Sequence, residues 1–107
     1  MRGNRVLLGA VIALAMPTTH VEAQEIGQPG RGLELAKQLC AQCHAVQKDE
    51  GRSPNELAPR FQAIASVPGM TGLALSVALN TSHRTMPNII LAADERADII
   101  AYILSLK

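Results

Sequence analysis

The chain has 107 residues, enough for one small domain, and carries ten Lys plus Arg against nine Asp plus Glu for a formal charge of +1. With no basic stripe, one Phe, one Tyr and no Trp, it lacks the charge and the aromatic interleaving that nucleic-acid binding requires. The hydrophobic share of 48% is inflated by an N-terminal apolar run, so the remainder has few large side chains with which to fill a core.

Residues 1–23 read as a secretory signal peptide. Arg2 and Arg5 give a positive start, Val6 to Met16 is apolar, and Val21-Glu22-Ala23 offers small residues for cleavage. The apolar run is short of the ~20 residues that span a bilayer, so an exported, periplasmic protein without stable membrane insertion is expected. His20 leaves with the signal. Residues 24–107 then form a single domain with eight basic and eight acidic side chains, near neutral and short of the core that such a length needs without a staple.

Gln24 to Gly32 reads as an irregular lead-in, because Gly27, Pro29 and Gly30 discourage regular structure. From Arg31 to Ala41, Leu33, Leu35, Ala36, Leu39 and Cys40 make an apolar helical face that delivers Cys40 at the helix end. There the chain reads Cys40-Ala41-Gln42-Cys43-His44. Two thiols one helical turn apart, followed at once by an imidazole, suit covalent attachment of haem: each sulfur adds to one porphyrin vinyl group and the histidine binds iron. A dithiol oxidoreductase expects a βαβ context that is not found, and a four-ligand zinc site needs more than His20 and His83, the remaining histidines. A disulfide between Cys40 and Cys43 would close a very short loop and add little stability.

Residues 45–55 are polar and broken by Gly51 and Pro54, which predicts a surface loop with Lys48, Asp49, Glu50 and Arg52 as a solvated face. Ala58 to Ala65 predicts a short helix with Pro59 in its first turn and with Phe61 and Ile64 pointing inward. After Pro68-Gly69, Thr71 is the expected N-cap of a helix running to Asn80, apolar enough to be largely covered by the cofactor or by the other helices. In the polar loop Thr81 to Asn88, one soft thioether is held against a proline. Met86 is the candidate second axial ligand, since Pro87 biases it toward extended backbone and a neutral sulfur suits ferrous iron. Met70 is the rival sulfur and His83 the rival nitrogen. Ala93 to Leu106 predicts the clearest helix, with Asp94, Glu95 and Asp98 in its first turns, an inward face of Ile99, Ile100, Ile103, Leu104 and Leu106, and Tyr102 with its ring packed and its hydroxyl near water.

Together the attachment motif, Pro59, His83-x-x-Met86-Pro87 and the terminal Arg96-Ala97-Asp98-Ile99-Ile100-Ala101-Tyr102 resemble a small bacterial class I cytochrome c, over nearly the whole chain after the signal. The resemblance implies an all-α fold around one haem c, held by Cys40 and Cys43 with His44 and Met86 as axial ligands. It implies that Gly32 and Tyr102 face each other where the first and last helices cross, and that the Pro59 carbonyl accepts from His44. In departure from the mitochondrial-type protein, Ala36 stands where an aromatic is usual, no tryptophan is present and there is no ring of lysines. Arg60 and Arg84 are the candidate partners of a haem propionate. The function implied is one-electron transfer without bond chemistry, to redox partners such as a dehydrogenase, oxidase or reductase. Two other readings stay open at this point: a haem-based ligand-binding protein or weak peroxidase with an open axial position, and the haem subunit of a periplasmic dehydrogenase.

Overall fold

A computed structural model describes Gly3, residues 26–81 and residues 85–107. Apart from Gly3, the residues expected to form a signal, His20 among them, lie outside the described residues, as do His83 and Arg84. The described residues form four helices, α1 (Pro29–Leu39), α2 (Phe61–Ala65), α3 (Gly72–Asn80) and α4 (Ala93–Leu104), and no strand element. No helix among them is long and apolar enough to cross a membrane.

The principal packing is between α1 and α4, and two glycines make it possible. A Cβ on Gly32 would overlap the Asp98 carbonyl oxygen and come within 2.7 Å of Tyr102 Cβ, and one on Gly27 would overlap the Ala97 carbonyl. The backbones are therefore closer than any other residue would allow. Asp98 reinforces the crossing. Its buried carboxylate accepts the Gln28 N–H at 2.7 Å and lies 3.2 Å from Arg31 Nε. An anion thus meets the start of α1, where the helix dipole favours it. Asp98 was expected to serve the dipole of its own helix; it is one and a half turns into α4 and serves its neighbour instead.

Each helix has a local cause. α1 starts two residues earlier than expected, because Pro29 occupies a first-turn position where its missing N–H costs nothing and its φ is already helical. It ends at Leu39, with Cys40 as C-cap. α2 starts three residues later than expected: Ala58 precedes a proline, Pro59 lies outside the helix, and Arg60 is an extended N-cap. Thr71 caps α3 as expected, its hydroxyl accepting the Ala74 N–H at 3.1 Å. In α4, Glu95 reaches back to accept the Ala92 N–H at 3.0 Å, and the helix stops at Leu104 rather than Leu106.

Phe61, Leu75, Ile99, Tyr102 and Ile103 belong to one buried cluster with Ala36, Val46 and Leu106. Ile64, Ile100 and Leu104 pack against it while partly exposed. Two expectations fail here. The segment 45–55 is not wholly a surface loop, since Ala45, Val46 and Ser53 are buried. Helix α3 is not largely covered: Leu75 is buried, but Leu73 is 77% and Val77 60% exposed. Apolar residues all round α3 made covering on every side the natural expectation, yet among the described residues protein packs on only one side of it.

Candidate functional site

Between the end of α1, the segment 55–61, α3 and the segment 85–89 lies an open cleft with about 1060 Å³ of empty space, the adjoining open solvent included. Cys40, Cys43, His44 and Met86 all line it, with Phe61, Ile64, Leu75, Leu79, Ile89 and Ile103 supplying apolar walls. Met70 does not line it; that side chain packs against the core, and its carbonyl accepts the Lys107 ammonium at 2.9 Å. Of the three candidate donors, Met86 and Met70 are among the described residues and His83 lies outside them.

The spacing of the cysteines is held by the chain itself. After α1 the backbone turns, and the Cys40 carbonyl accepts both the Cys43 N–H at 3.1 Å and the His44 N–H at 2.9 Å. The turn sets Cys43 and His44 on the same cleft as Cys40. Both cysteines are free and half-buried. Burial pushes the Cys40 thiol up to about 11. A thiol so resistant to ionisation is the opposite of the lowered thiolate that dithiol oxidoreductases use.

The imidazole of His44 is gripped from behind. Its Nδ1 lies 2.6 Å from the Pro59 carbonyl oxygen. A carbonyl only accepts, so Nδ1 carries the proton and Nε2 keeps its lone pair for a metal. The Phe61 ring stands 5.3 Å from the imidazole at an interplanar angle of 52°. Pro59 is thus placed behind His44 by the same three-residue step that puts Phe61 beside it.

This donor set fits haem c. Two thiols are available for thioethers, one neutral imidazole nitrogen and one thioether sulfur for iron, and an apolar wall for the macrocycle. Propionate partners are less evident. Arg60, a candidate from sequence, does not line the cleft and donates instead to the Glu50 carbonyl at 3.1 Å. Arg84 lies outside the described residues.

Several site residues carried no sequence signal. Asn55 and Leu57 line the cleft, Asn55 accepting the Leu57 N–H at 3.0 Å. Ser53 accepts the Ala45 N–H at 3.0 Å through its hydroxyl. Neither fact follows from a polar loop composition, because both depend on how the loop folds back. Tyr102 was more legible: a lone tyrosine on an apolar helical face needs a partner for its hydroxyl when buried. That partner is the Val46 carbonyl at 2.6 Å, so the hydroxyl is not near water as expected.

Residues 30–107 match the sequence profile of the family described as Cytochrome c. The chain is 33% identical over 101 residues to cytochrome c-552 of Bradyrhizobium diazoefficiens, covering 94% of this chain and 95% of that relative. No solved structure matches this chain.

Proposed function

The chain belongs to the cytochrome c family, whose members bind one covalent haem c and transfer electrons through it, and from that premise we propose a one-electron carrier of the periplasm with His44 and Met86 as axial ligands. Residues 1–23 are its removable signal, and residues 24–107 its single haem domain. The observation that carries the reading is the convergence of Cys40, Cys43, His44 and Met86 on one apolar cleft.

Haem c, when bound, supplies a one-electron couple at its iron. The protein supplies the rest. Cys40 and Cys43 hold the group through thioethers, their relative position kept by the shared Cys40 carbonyl. His44 offers Nε2, its tautomer settled by Pro59. Met86 offers sulfur from a segment stiffened by Pro87. A neutral thioether favours the ferrous state, and so a higher potential than harder ligands give. Leu75, Leu79 and Ile103 keep water from the buried side. With His44 and Met86 both committed to holding the group, it would offer no open position to a substrate, and the protein is read as a carrier and not as an enzyme. Its partners are other redox proteins.

Carbon monoxide separates this reading from an open-site ligand binder or peroxidase. The reduced holoprotein should resist carbon monoxide, and Met86→Ala should bind it stoichiometrically. Rapid binding by the unaltered protein would place an open position at the iron.

A further inference from the structure

The support behind His44 extends beyond Pro59. Three consecutive residues are tied from three directions. His44 donates through its ring to Pro59. Ala45 donates its N–H to Ser53 Oγ and accepts the Phe61 N–H at 2.9 Å. Val46 accepts the Tyr102 hydroxyl at 2.6 Å, a bond that joins positions 56 apart in the chain. Ala45 and Val46 are 0% and 1% exposed. The Tyr102 ring also reaches the ligand indirectly, standing 6.5 Å from the Phe61 ring, which stands 5.3 Å from the imidazole.

Tyr102 is therefore a stiff bracket from α4 to the segment that bears the histidine. A buried phenol and a buried carbonyl each lose a partner if the bond breaks, so the bond persists while the fold does. The glycine at position 32 leaves room for this side chain, since any Cβ there would press on Tyr102 Cβ.

We propose that Tyr102 is a positioning residue for the proximal ligand: its hydroxyl through Val46, and its ring through Phe61, hold His44 against the Pro59 carbonyl. The inference rests on the reading of His44 as an iron ligand. It goes beyond the packing of α1 on α4, for which the ring alone would suffice.

Because the chain has one tyrosine, biosynthetic 3-fluorotyrosine alters Tyr102 alone. Fluorine makes the phenol a stronger donor while keeping the ring. Reduced holoprotein with Tyr102, with Tyr102→Phe and with 3-fluorotyrosine is compared at pH 6 by proton NMR. The readout is solvent exchange of the His44 Nδ1 proton, normalised to the backbone amides of Ile99 and Leu75. Loss of one hydrogen bond predicts exchange faster by about threefold to tenfold in Tyr102→Phe, beyond any change in those amides. Fluorination predicts exchange slower than in the unaltered protein. A His44 proton that changes only in step with the amides, or that ignores fluorination, overturns the inference and leaves Tyr102 as packing. If Tyr102→Phe does not fold, the fluorinated protein decides alone. The unaltered protein checks the premise first: the carbon-bound ring protons of His44 must show the high-field shift that a porphyrin ring current imposes on a ligated imidazole. Without that shift the ligand reading itself fails, whatever the variants do.

Discussion

Tyr102 couples local chemistry to stability in a way that pH exposes. Burial, reinforced by the negative Glu50, raises its hydroxyl above the ordinary value of 10.0. In the unfolded chain the phenol ionises near 10, so between that value and the folded one the unfolded chain gives up a proton that the folded protein keeps. The stabilisation is fully present below about pH 10 and is lost as pH rises through that range. Phenylalanine cannot ionise. At neutral pH, Tyr102→Phe should cost about 1–3 kcal/mol by leaving the Val46 carbonyl unpaired, and the difference from the unaltered protein should narrow between pH 8 and pH 11. Denaturant unfolding of both proteins at the two pH values measures this; a difference that stays constant would contradict it.

At this level the attachment motif was legible from sequence because covalent haem chemistry demands adjacent reactive side chains, and adjacency survives any folding of the rest. Met86 was singled out for a weaker reason, the proline that follows it, and the structure places it on the cleft. Ser53, Asn55 and the Val46 carbonyl were not legible. Their roles arise from a return of the chain across 8 to 56 positions, and a backbone acceptor has no residue identity to read.

Helix types and order followed from apolar spacing, and boundaries erred where proline was misread. Pro29 opens α1 when it was expected to discourage it, and Pro59 stands outside α2 when it was expected within. Both outcomes follow from the same ring: it fits a first turn, yet it drives the residue before it out of the helical region. At Pro59 the carbonyl is already committed to His44, and the helix begins beyond it. The covering of α3 was misjudged because total apolarity says nothing of direction. Leu75, Ala78 and Leu79 turn toward the cleft while Leu73 and Val77 remain exposed.

The crossing of α1 and α4 is the element-level feature most sensitive to a single atom. Gly32→Ala places a Cβ against the backbone of Asp98, which cannot yield as a side-chain tip can. Overpacking of this kind should destabilise by about 3 kcal/mol or more, at the upper end of core enlargements. It should also release the Tyr102 bracket. Thermal unfolding of the holoprotein tests the first point; an unfolding midpoint within a degree or two of the unaltered protein would show that the helices separate freely.

Taken whole, the protein has few large side chains and one Phe and one Tyr among its aromatics, so the residues that close the core are also those that line the cleft. Phe61, Leu75 and Ile103 serve both. A covalently held macrocycle would complete such a core, and loss of the group should destabilise the fold well beyond one deleted side chain. Charge is distributed with equal economy. The exposed residues that line the cleft among the described residues are Leu39, Gln42, Leu57, Pro59, Thr85 and Pro87, none of them charged. Residues 24–107 balance eight basic against eight acidic side chains. Electrostatic steering requires opposed potentials, and the polypeptide offers little along the described rim of the cleft. Electron exchange with a protein partner should therefore change by less than about twofold between roughly 0.01 and 0.15 M ionic strength, where steered pairs slow severalfold. Stopped-flow measurement across that range decides it, and a steep decline would assign a docking role to charges away from the rim.

The ligand set is the claim on which the electron-carrier function depends. With His44 and Met86 bound, the oxidised holoprotein should show the weak red absorption of sulfur-to-ferric-iron charge transfer, and Met86→Ala should abolish it while leaving haem covalently attached. Attached haem without that band in the unaltered protein would contradict Met86 as the ligand and move the function toward an open-site or bis-nitrogen haem protein.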